Sequence, residues 1–354
     1  RDGAVNTPLT ISSEAALTLG GTAAGNLTNN NASNMSTVDD FNNSTTETLP
    51  AAFPKGFNAF YCMKYELSVG QYRDFLNTLS YNQQKSRTFT APNNAAGVGA
   101  LDSLNQYRNG LDIMTPGVDS TTPAVYACNL DGDNIYNESN DGEWTVCTRL
   151  TYMHTLAYFD WAGLRPMTEL EYEKACRGPL TAIPDELAWG STSFTLATVA
   201  GITNPSTASE GVSTANANIY FKNVSTDSVL FTRVGIYASN STSRVKSGAS
   251  YWGIMDLTGN VWERPVSVGN AVGRTFTGLH GNGMLSNSGH GNVSNWPGLD
   301  GNGEITGSTG SGFRGGAAIY TAIGNFPVSR RRLATSSTLN RNPEDSNRAV
   351  RTAP

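Results

Sequence analysis

The feature that most constrains the fold is a run of eight residues in which oxygen-bearing side chains surround a glycine and a large aromatic residue. The run is Asp256-Leu257-Thr258-Gly259-Asn260-Val261-Trp262-Glu263. Glycine permits a tight turn, and calcium prefers hard oxygen ligands that mix carboxylates with backbone carbonyls. Tryptophan buries a large apolar area. We therefore expect a loop that Trp262 anchors in a core and that calcium stiffens.

The composition favours a globular protein with a polar but weakly charged surface. The 354 residues are 38% hydrophobic, which suffices for one large domain or two ordinary ones. Charged residues make up 15%, against roughly 25% in ordinary soluble proteins. A net charge of -5 argues against nucleic-acid binding, which needs a basic face. No apolar stretch approaches the roughly 20 residues of a membrane-spanning helix. The chain opens at Arg1 without an apolar signal region, which is typical of a processed, mature product.

The cysteines favour an oxidising compartment. The chain has four, Cys62, Cys128, Cys147 and Cys176, and none of their spacings is that of a zinc site. We predict disulfides, in one of the three possible pairings, and a secreted or cell-surface protein. Several Asn-x-Ser/Thr triplets, for example at Asn26, are either glycan acceptors or a chance product of the composition.

Residues 1–52 are predicted to form an extended N-terminal arm. The segment is rich in Thr, Ser, Asn and Ala, and its alternation between Ala4 and Leu19 is typical of a strand. Its apolar residues are too few for a core of their own. The arm must therefore pack on the main domain, dock on a neighbouring molecule by strand addition, or stay mobile.

Helix signals are confined to the first half of the remaining chain. Helical periodicity and a capping box predict a helix over about Val69–Leu79, a second is predicted over Leu150–Trp161, and a third begins at the capping box Thr168–Glu171 and ends at Gly178. After Pro179 the chain is rich in Gly, Ser and Asn, which indicates long loops and short strands.

Five blocks of sequence occur in an order that resembles the formylglycine-generating enzyme, or sulfatase-modifying factor, superfamily. They are Phe60–Tyr72, Leu164–Glu173, Gly259–Glu263, Phe313–Gly316 and Asn347–Arg351. The resemblance covers residues 53–354. It implies a single α+β domain that is related to the C-type lectin fold and has little regular secondary structure. The superfamily includes oxidases, iron-dependent enzymes and non-catalytic surface proteins, so the fold alone does not give the function.

The resemblance does not extend to the catalytic residues. The formylglycine-forming members bind copper through two cysteine thiolates, and a serine lies nearby. Counting from Gly315-Gly316, those positions fall on Tyr320, Asn325 and, for the serine, Ala317. The last cysteine of the chain is Cys176, so no shift of the alignment restores them. The iron-dependent members need clustered histidines, and His154, His280 and His290 follow no recognisable motif. We therefore expect neither copper nor iron.

The resemblance implies two structural calcium sites. In the first, Asp256 and Glu263 supply side-chain oxygens and Gly259 and Val261 supply carbonyls. The second comprises Asn218 and the Ile219 carbonyl together with Asp227 and the Val229 carbonyl.

A third calcium candidate comes from the residues alone. The segment 129–141 carries oxygen side chains at alternating positions, as calcium loops of the EF-hand type do, and Asn129, Asp131 and Asp133 are its predicted ligands. The motif lacks the glycine at its sixth position and the glutamate at its twelfth. A solvated acidic loop is the alternative.

The sequence thus favours a secreted or cell-surface, non-catalytic protein that is stabilised by calcium. It would bind its own copies, another extracellular protein or a glycan, for instance as a subunit of an extracellular filament. The alternative is an enzyme with changed chemistry in a pocket lined by Tyr320, Asn325, Arg330 and Arg332. These arginines could instead belong to a buried ion-pair structure.

Overall fold

Short helices and short strands are joined by long loops in the computed structural model, which describes residues 1–5, 7–28, 36–102, 106–222, 230–238 and 243–354. The helices are α1 Val69–Leu76, α2 Tyr81–Arg87, α3 Tyr152–Trp161, α4 Glu169–Arg177, α5 Arg244–Ser247 and α6 Ala271–Arg274. The strands are β1 Leu17–Leu19, β2 Glu47–Leu49, β3 Phe60–Cys62, β4 Leu111–Thr115, β5 Val125–Cys128, β6 Arg165–Pro166, β7 Ile202–Thr203, β8 Gly211–Val212 and β9 Ala349–Thr352. This mixture with little regular structure confirms the predicted α+β class.

Local capping chemistry sets where the longer helices begin. Ser68 caps α1 together with Gln71, and Thr168 caps α4 together with Glu171, each in the reciprocal arrangement that satisfies two free backbone N–H groups. Helix α4 ends at Gly178 as predicted, whereas α1 stops at Leu76 rather than Leu79. The sequence analysis missed α2, which begins with the same Ser-x-x-Gln signal at Ser80.

The C-terminal strand lies in the middle of the three-stranded sheet. Strand β9 pairs antiparallel with β3 on one side and with β6 on the other, and Val350 is opposite both Cys62 and Arg165. Strand β9 is thereby fixed against β3, which begins the sequence block Phe60–Tyr72. The main core packs against this sheet and includes the inward face of α1, with Tyr72, Phe75 and Leu76 fully buried.

The N-terminal segment packs on its own chain. Strand β1 pairs with β2, and Leu19, Phe41 and Leu49 are buried in the same core as Phe276. The carboxylate of Glu14 also accepts hydrogen bonds from the backbone N–H groups of Lys55 (2.7 Å) and Asn58 (3.0 Å). Of the three alternatives for the N-terminal arm, the structure has the first, packing on the main domain. The few apolar residues of the segment form no core of their own, and Leu19, Phe41 and Leu49 are instead buried in the main core.

The predicted disulfides are absent, since all four cysteines are free thiols. Cys128 and Cys147 lie in the main core, while Cys176 and the half-buried Cys62 belong to a second cluster around Met167. An even number of cysteines does not decide pairing, because a buried thiol also packs as a small apolar group. The cysteine argument for an oxidising compartment is therefore withdrawn.

None of the helices within the described residues is long and apolar enough to cross a membrane.

Candidate functional site

Two glycine turns meet at the centre of the domain. The backbone N–H of Gly259 donates to the carbonyl of Gly315 (3.0 Å), and both residues have the positive φ that favours glycine. A side chain on Gly315 would lie 2.8 Å from the Leu257 carbonyl oxygen. Trp262 is buried as predicted, with its ring 5.8 Å from Phe313 and 5.3 Å from Tyr320. The run 256–263 therefore holds the segment after the glycine pair in place.

Three buried carboxylates and one arginine surround this junction. Asp256 accepts from the backbone N–H of Gly235 (2.6 Å), and Glu263 accepts from Arg348 Nε (2.5 Å). The second oxygen of Glu263 is buried and has no hydrogen-bond partner. Glu66 accepts from Asn260 Nδ2 (2.6 Å) and from the Val261 N–H. The sequence analysis missed Glu66 as a site residue, although it lies in the first block of the resemblance.

The charges of this cluster do not balance when all three carboxylates are ionised. Burial, followed by repulsion from Asp256, raises the pKa of Glu66 well above its usual range, and burial also raises the pKa of Asp256 and of Glu263. A buried carboxylate without a partner takes up a proton or a cation. The free Glu263 oxygen fits a cation, but the three carboxylates do not converge on one point. Asp256 instead lines a cavity of about 10 Å³, room for one water-sized species, with Thr258, Asn260 and Ile219.

The second implied calcium site is only half within the described residues. The side-chain oxygen of Asn218 accepts from the Thr195 N–H (2.9 Å), and the Ile219 carbonyl accepts from the Ala197 N–H (2.8 Å). Both oxygens thus serve the local fold in this structure. The other two predicted ligands, Asp227 and Val229, lie outside the described residues.

The loop 129–141 brings together a different set from the one predicted. Carboxylate oxygens of Asp131, Asp133 and Glu138 lie within 4.8 Å of one another, and within the described ranges this is the one such group of three. Asn129 is buried, donates to Asp112 and accepts from the Asn134 N–H, so it supports the loop from inside. The sequence analysis missed Glu138 because the EF-hand pattern has its acidic ligand at the twelfth position of the loop. In this structure the loop closes before that position.

A surface groove of about 350 Å³ lies beside the predicted ligand pocket. It is lined by Asp185, Leu187, Thr192, Ile323, Gly324, Pro327 and Arg330. Of the four predicted pocket residues, Arg330 lines the groove and donates to the Gly324 carbonyl (2.5 Å). Tyr320 packs on Trp262, Asn325 donates to the Ala322 carbonyl, and Arg332 is exposed. The opposite wall, residues 185–192, could not be found from the sequence because it is more than 120 positions away along the chain.

The alternative of a buried ion-pair structure, raised for Arg330 and Arg332, applies instead to Arg331 between them. Arg331 contacts the buried carboxylate of Glu169 (2.8 Å) and Asp39 (2.6 Å), and Arg314 contacts Glu169 from another side (2.7 Å). Arg330 and Arg332 flank Arg331 and are not part of this network. The Glu169 network therefore joins α4, the N-terminal segment and the segment after the glycine pair.

A comparison with known families agrees with this architecture. The profile of the sulfatase-modifying factor enzyme 1-like domain matches residues 17–274. The chain belongs to this family. No curated protein matches the chain. The match begins at β1, inside the segment predicted as an arm, and it ends before the blocks Phe313–Gly316 and Asn347–Arg351.

In this sulfatase-modifying factor domain, the residues to which the resemblance assigns the copper-ligand and serine positions serve packing and turns. Ala317, at the serine position, is fully buried. Tyr320 packs edge-to-face on Trp262, and Asn325 closes a short turn. The four thiols lie elsewhere, and burial raises the pKa of Cys62 and of Cys128 to about 12 and raises those of Cys147 and Cys176 as well.

Proposed function

We propose that this sulfatase-modifying factor domain is a non-catalytic binding and assembly protein that calcium stabilises and that acts outside the cell or on its surface. The observation that carries the proposal is the replacement of both copper thiolates, by Tyr320 and Asn325, in a chain whose last cysteine is Cys176. By resemblance, the formylglycine-forming members bind copper through thiolates, because soft sulfur ligands hold Cu(I).

Binding is supported by the groove beside Arg330. Its volume of about 350 Å³ is within the range of small-molecule sites, and its walls combine apolar residues with Asp185 and Arg330. One wall is the segment Ile323–Arg330, where the oxidases of the family carry their second cysteine by resemblance. The groove therefore has a lining that can recognise a polar ligand.

Calcium is supported by the oxygen chemistry of two places. Asp131, Asp133 and Glu138 are exposed and converge, and Glu263 has a free oxygen near Asp256. Carboxylate oxygens are the ligands that calcium prefers. In the first place the ion would neutralise three like charges and stiffen the loop, and in the second it would offset the charge of buried carboxylates.

Assembly would use an exposed aromatic surface rather than the N-terminal strand, which pairs within its own chain. Tyr251 and Trp252 are 41% and 55% exposed, and their rings pack 4.8 Å apart. Exposed aromatic residues are enriched at protein interfaces. The partner would be a second copy, another extracellular protein or a glycan. The proposed location, outside the cell or on its surface, now depends on the composition, which is weakly charged and rich in Asn and Thr. It no longer depends on disulfides.

The decisive experiment is an assay for the family reaction. The purified protein is incubated with copper and a cysteine-bearing sulfatase peptide, beside an active formylglycine-forming enzyme. We expect the peptide mass to stay unchanged with this protein and to shift with the active enzyme. Conversion of the peptide to the aldehyde by this protein would refute the proposal.

Calcium and assembly are tested together by native mass spectrometry with and without chelator. We expect bound calcium, and we expect Glu138→Gln to reduce the number of bound ions while Glu143→Gln, a nearby control, does not. Identical masses in both conditions would remove calcium from the proposal. A monomer at all concentrations would remove self-assembly.

A further inference from the structure

Two arginines and two histidines meet where four separate segments of the chain come together. Arg87 is at the end of α2, and His154 is in α3. His290 is in the glycine-rich loop, residues 278–291, and Arg341 is in the segment before β9. Arg87 Nη2 lies 2.8 Å from His290 Nδ1, and Arg341 Nη2 lies 2.8 Å from His154 Nε2. The remaining contacts are to carbonyls: Arg87 Nη1 donates to Met153, and Arg341 Nη2 also donates to Thr88.

The histidines in this cluster are neutral. A guanidinium can only donate, so His290 Nδ1 and His154 Nε2 must both accept. His154 Nδ1 makes a short contact with Thr151 Oγ1 and lies 3.2 Å from the backbone nitrogen of Thr151. Burial, followed by the nearby arginines, lowers the pKa of His154 well below its usual range, and burial and Arg87 lower that of His290. Neither histidine therefore offsets the charge of an arginine.

The two guanidiniums lack the carboxylate partners that most buried arginines have. Arg165, Arg314 and Arg348 each form an ion pair, and the fully buried Arg264 is an exception that packs on Tyr152 and Phe313. Neither Arg87 nor Arg341 has a carboxylate of the described residues within ion-pair distance. Glu304 attracts Arg87 electrostatically without forming such a pair, and burial together with repulsion from Arg341 lowers the pKa of Arg87 to about 10. At neutral pH both arginines are still charged.

Two strong donors of the cluster also have no acceptor. Arg87 is fully buried and its Nε has no hydrogen-bond partner, and the same holds for the buried Nη1 of Arg341. A buried charge is costly unless it is paired, and a buried donor without an acceptor costs about 1 to 3 kcal/mol. The two arginines are neighbours, since Arg341 donates to the residue that follows Arg87 and the two charges repel each other. Their charges and free donors are complementary to a ligand that brings negative charge and several acceptor oxygens.

We propose that Arg87 and Arg341 bind a small oxyanion of the phosphate or sulfate class. Arginine recognises such anions through paired N–H donors, and here each guanidinium has one donor to spare. Arg341 and His290 are only partly buried, so the anion enters from their side. Bound there, it ties α2, α3, the glycine-rich loop and the C-terminal segment to one another. The site is separate from the groove at Arg330 and does not depend on the proposed binding function.

The experiment compares sulfate and phosphate with chloride at constant ionic strength. Thermal unfolding and titration calorimetry are carried out on the wild type, on Arg341→Gln and on the control Arg332→Gln, which removes the same charge from an exposed position. We expect a saturable rise in Tm with either oxyanion, an affinity at least about tenfold weaker in Arg341→Gln, and wild-type behaviour in Arg332→Gln. An equal effect in all three proteins, or binding weaker than about 10 mM, would mean an adventitious ion only and would overturn the proposal.

A second measurement covers the case in which Arg341→Gln does not fold. Crystals of the wild type are soaked in selenate, and the anomalous signal of selenium locates the anion. A peak between the guanidinium groups of Arg87 and Arg341 is the expected result. Selenate at other positions only, or none, refutes the site.

Discussion

Replacing Glu169 with glutamine tests whether the buried ion-pair network holds the domain together. The carboxylate is 1% exposed and accepts from Arg314 and Arg331, from Ser267 Oγ (3.0 Å) and from the Val268 N–H (3.0 Å). Glutamine has nearly the same shape but leaves both arginines without this charge. Breaking a buried pair by removing one partner costs about 3 to 5 kcal/mol.

The pKa of Glu169 gives a second estimate of the magnitude. Burial by itself raises the pKa, but the attraction of Arg331 and Arg314 and the hydrogen bonds lower it from 4.5 to about 2. Since a tenfold change in proton affinity is about 1.4 kcal/mol, the ionised form stabilises the native state by about 3 kcal/mol at neutral pH. The folded-state pKa is the lower one, so this stability is fully present above 4.5 and is lost as the pH falls through about 2.

The assay is urea unfolding followed by tryptophan fluorescence at several pH values. We expect Glu169→Gln to lower the free energy of unfolding by about 3 kcal/mol at neutral pH, and the difference from the wild type should shrink as the pH falls between the two pKa values. Glu173→Gln is the matched control, because that carboxylate also contacts Arg314 but is 31% exposed, and it should cost about 1 kcal/mol or less. Equal stability of Glu169→Gln and wild type at neutral pH would refute the reasoning.

Three further predictions follow from burial. Phe41→Ala should lower the free energy of unfolding by about 3 to 5 kcal/mol, because Phe41 is only 2% exposed. The control Val38→Ala, at a 67% exposed position, should have little effect. Both free energies are measured by urea titration, and equal values would argue against packing of the N-terminal segment on its own chain. Without reductant, Ellman's reagent should detect four thiols in the denatured protein. It should react slowly with the native protein, because the thiols are mostly buried. A count of zero in denaturant would mean that the cysteines form disulfides after all. Burial raises the pKa of Asp345 from 3.8 to about 7, so the native state keeps a proton that the unfolded chain has lost, and stability should fall as the pH rises through this window. Asp345→Asn should remove this pH dependence of the thermal stability. Above the raised pKa, the variant should have a free energy of unfolding up to about 4 kcal/mol higher than the wild type. An unchanged pH dependence would contradict the assignment to Asp345.

The sequence by itself determined the elements whose signals are local. The capping boxes at Ser68 and Thr168, the glycine stop at Gly178 and the burial of Trp262 each depend on residues a few positions apart, and all were predicted correctly. The order of five motifs likewise identified the family, since motif order is a property of the chain and not of its packing.

Only the tertiary structure decided which charged groups meet. Arg331 rather than Arg330 or Arg332 pairs with Glu169, Glu138 joins Asp131 and Asp133, and Arg87 lies beside Arg341 although 254 positions separate them in the sequence. It also decided that the cysteines remain thiols and that the N-terminal segment closes on its own core. The physical reason is that burial and electrostatic interaction depend on distances in space, and long loops bring together residues whose local sequence carries no sign of one another.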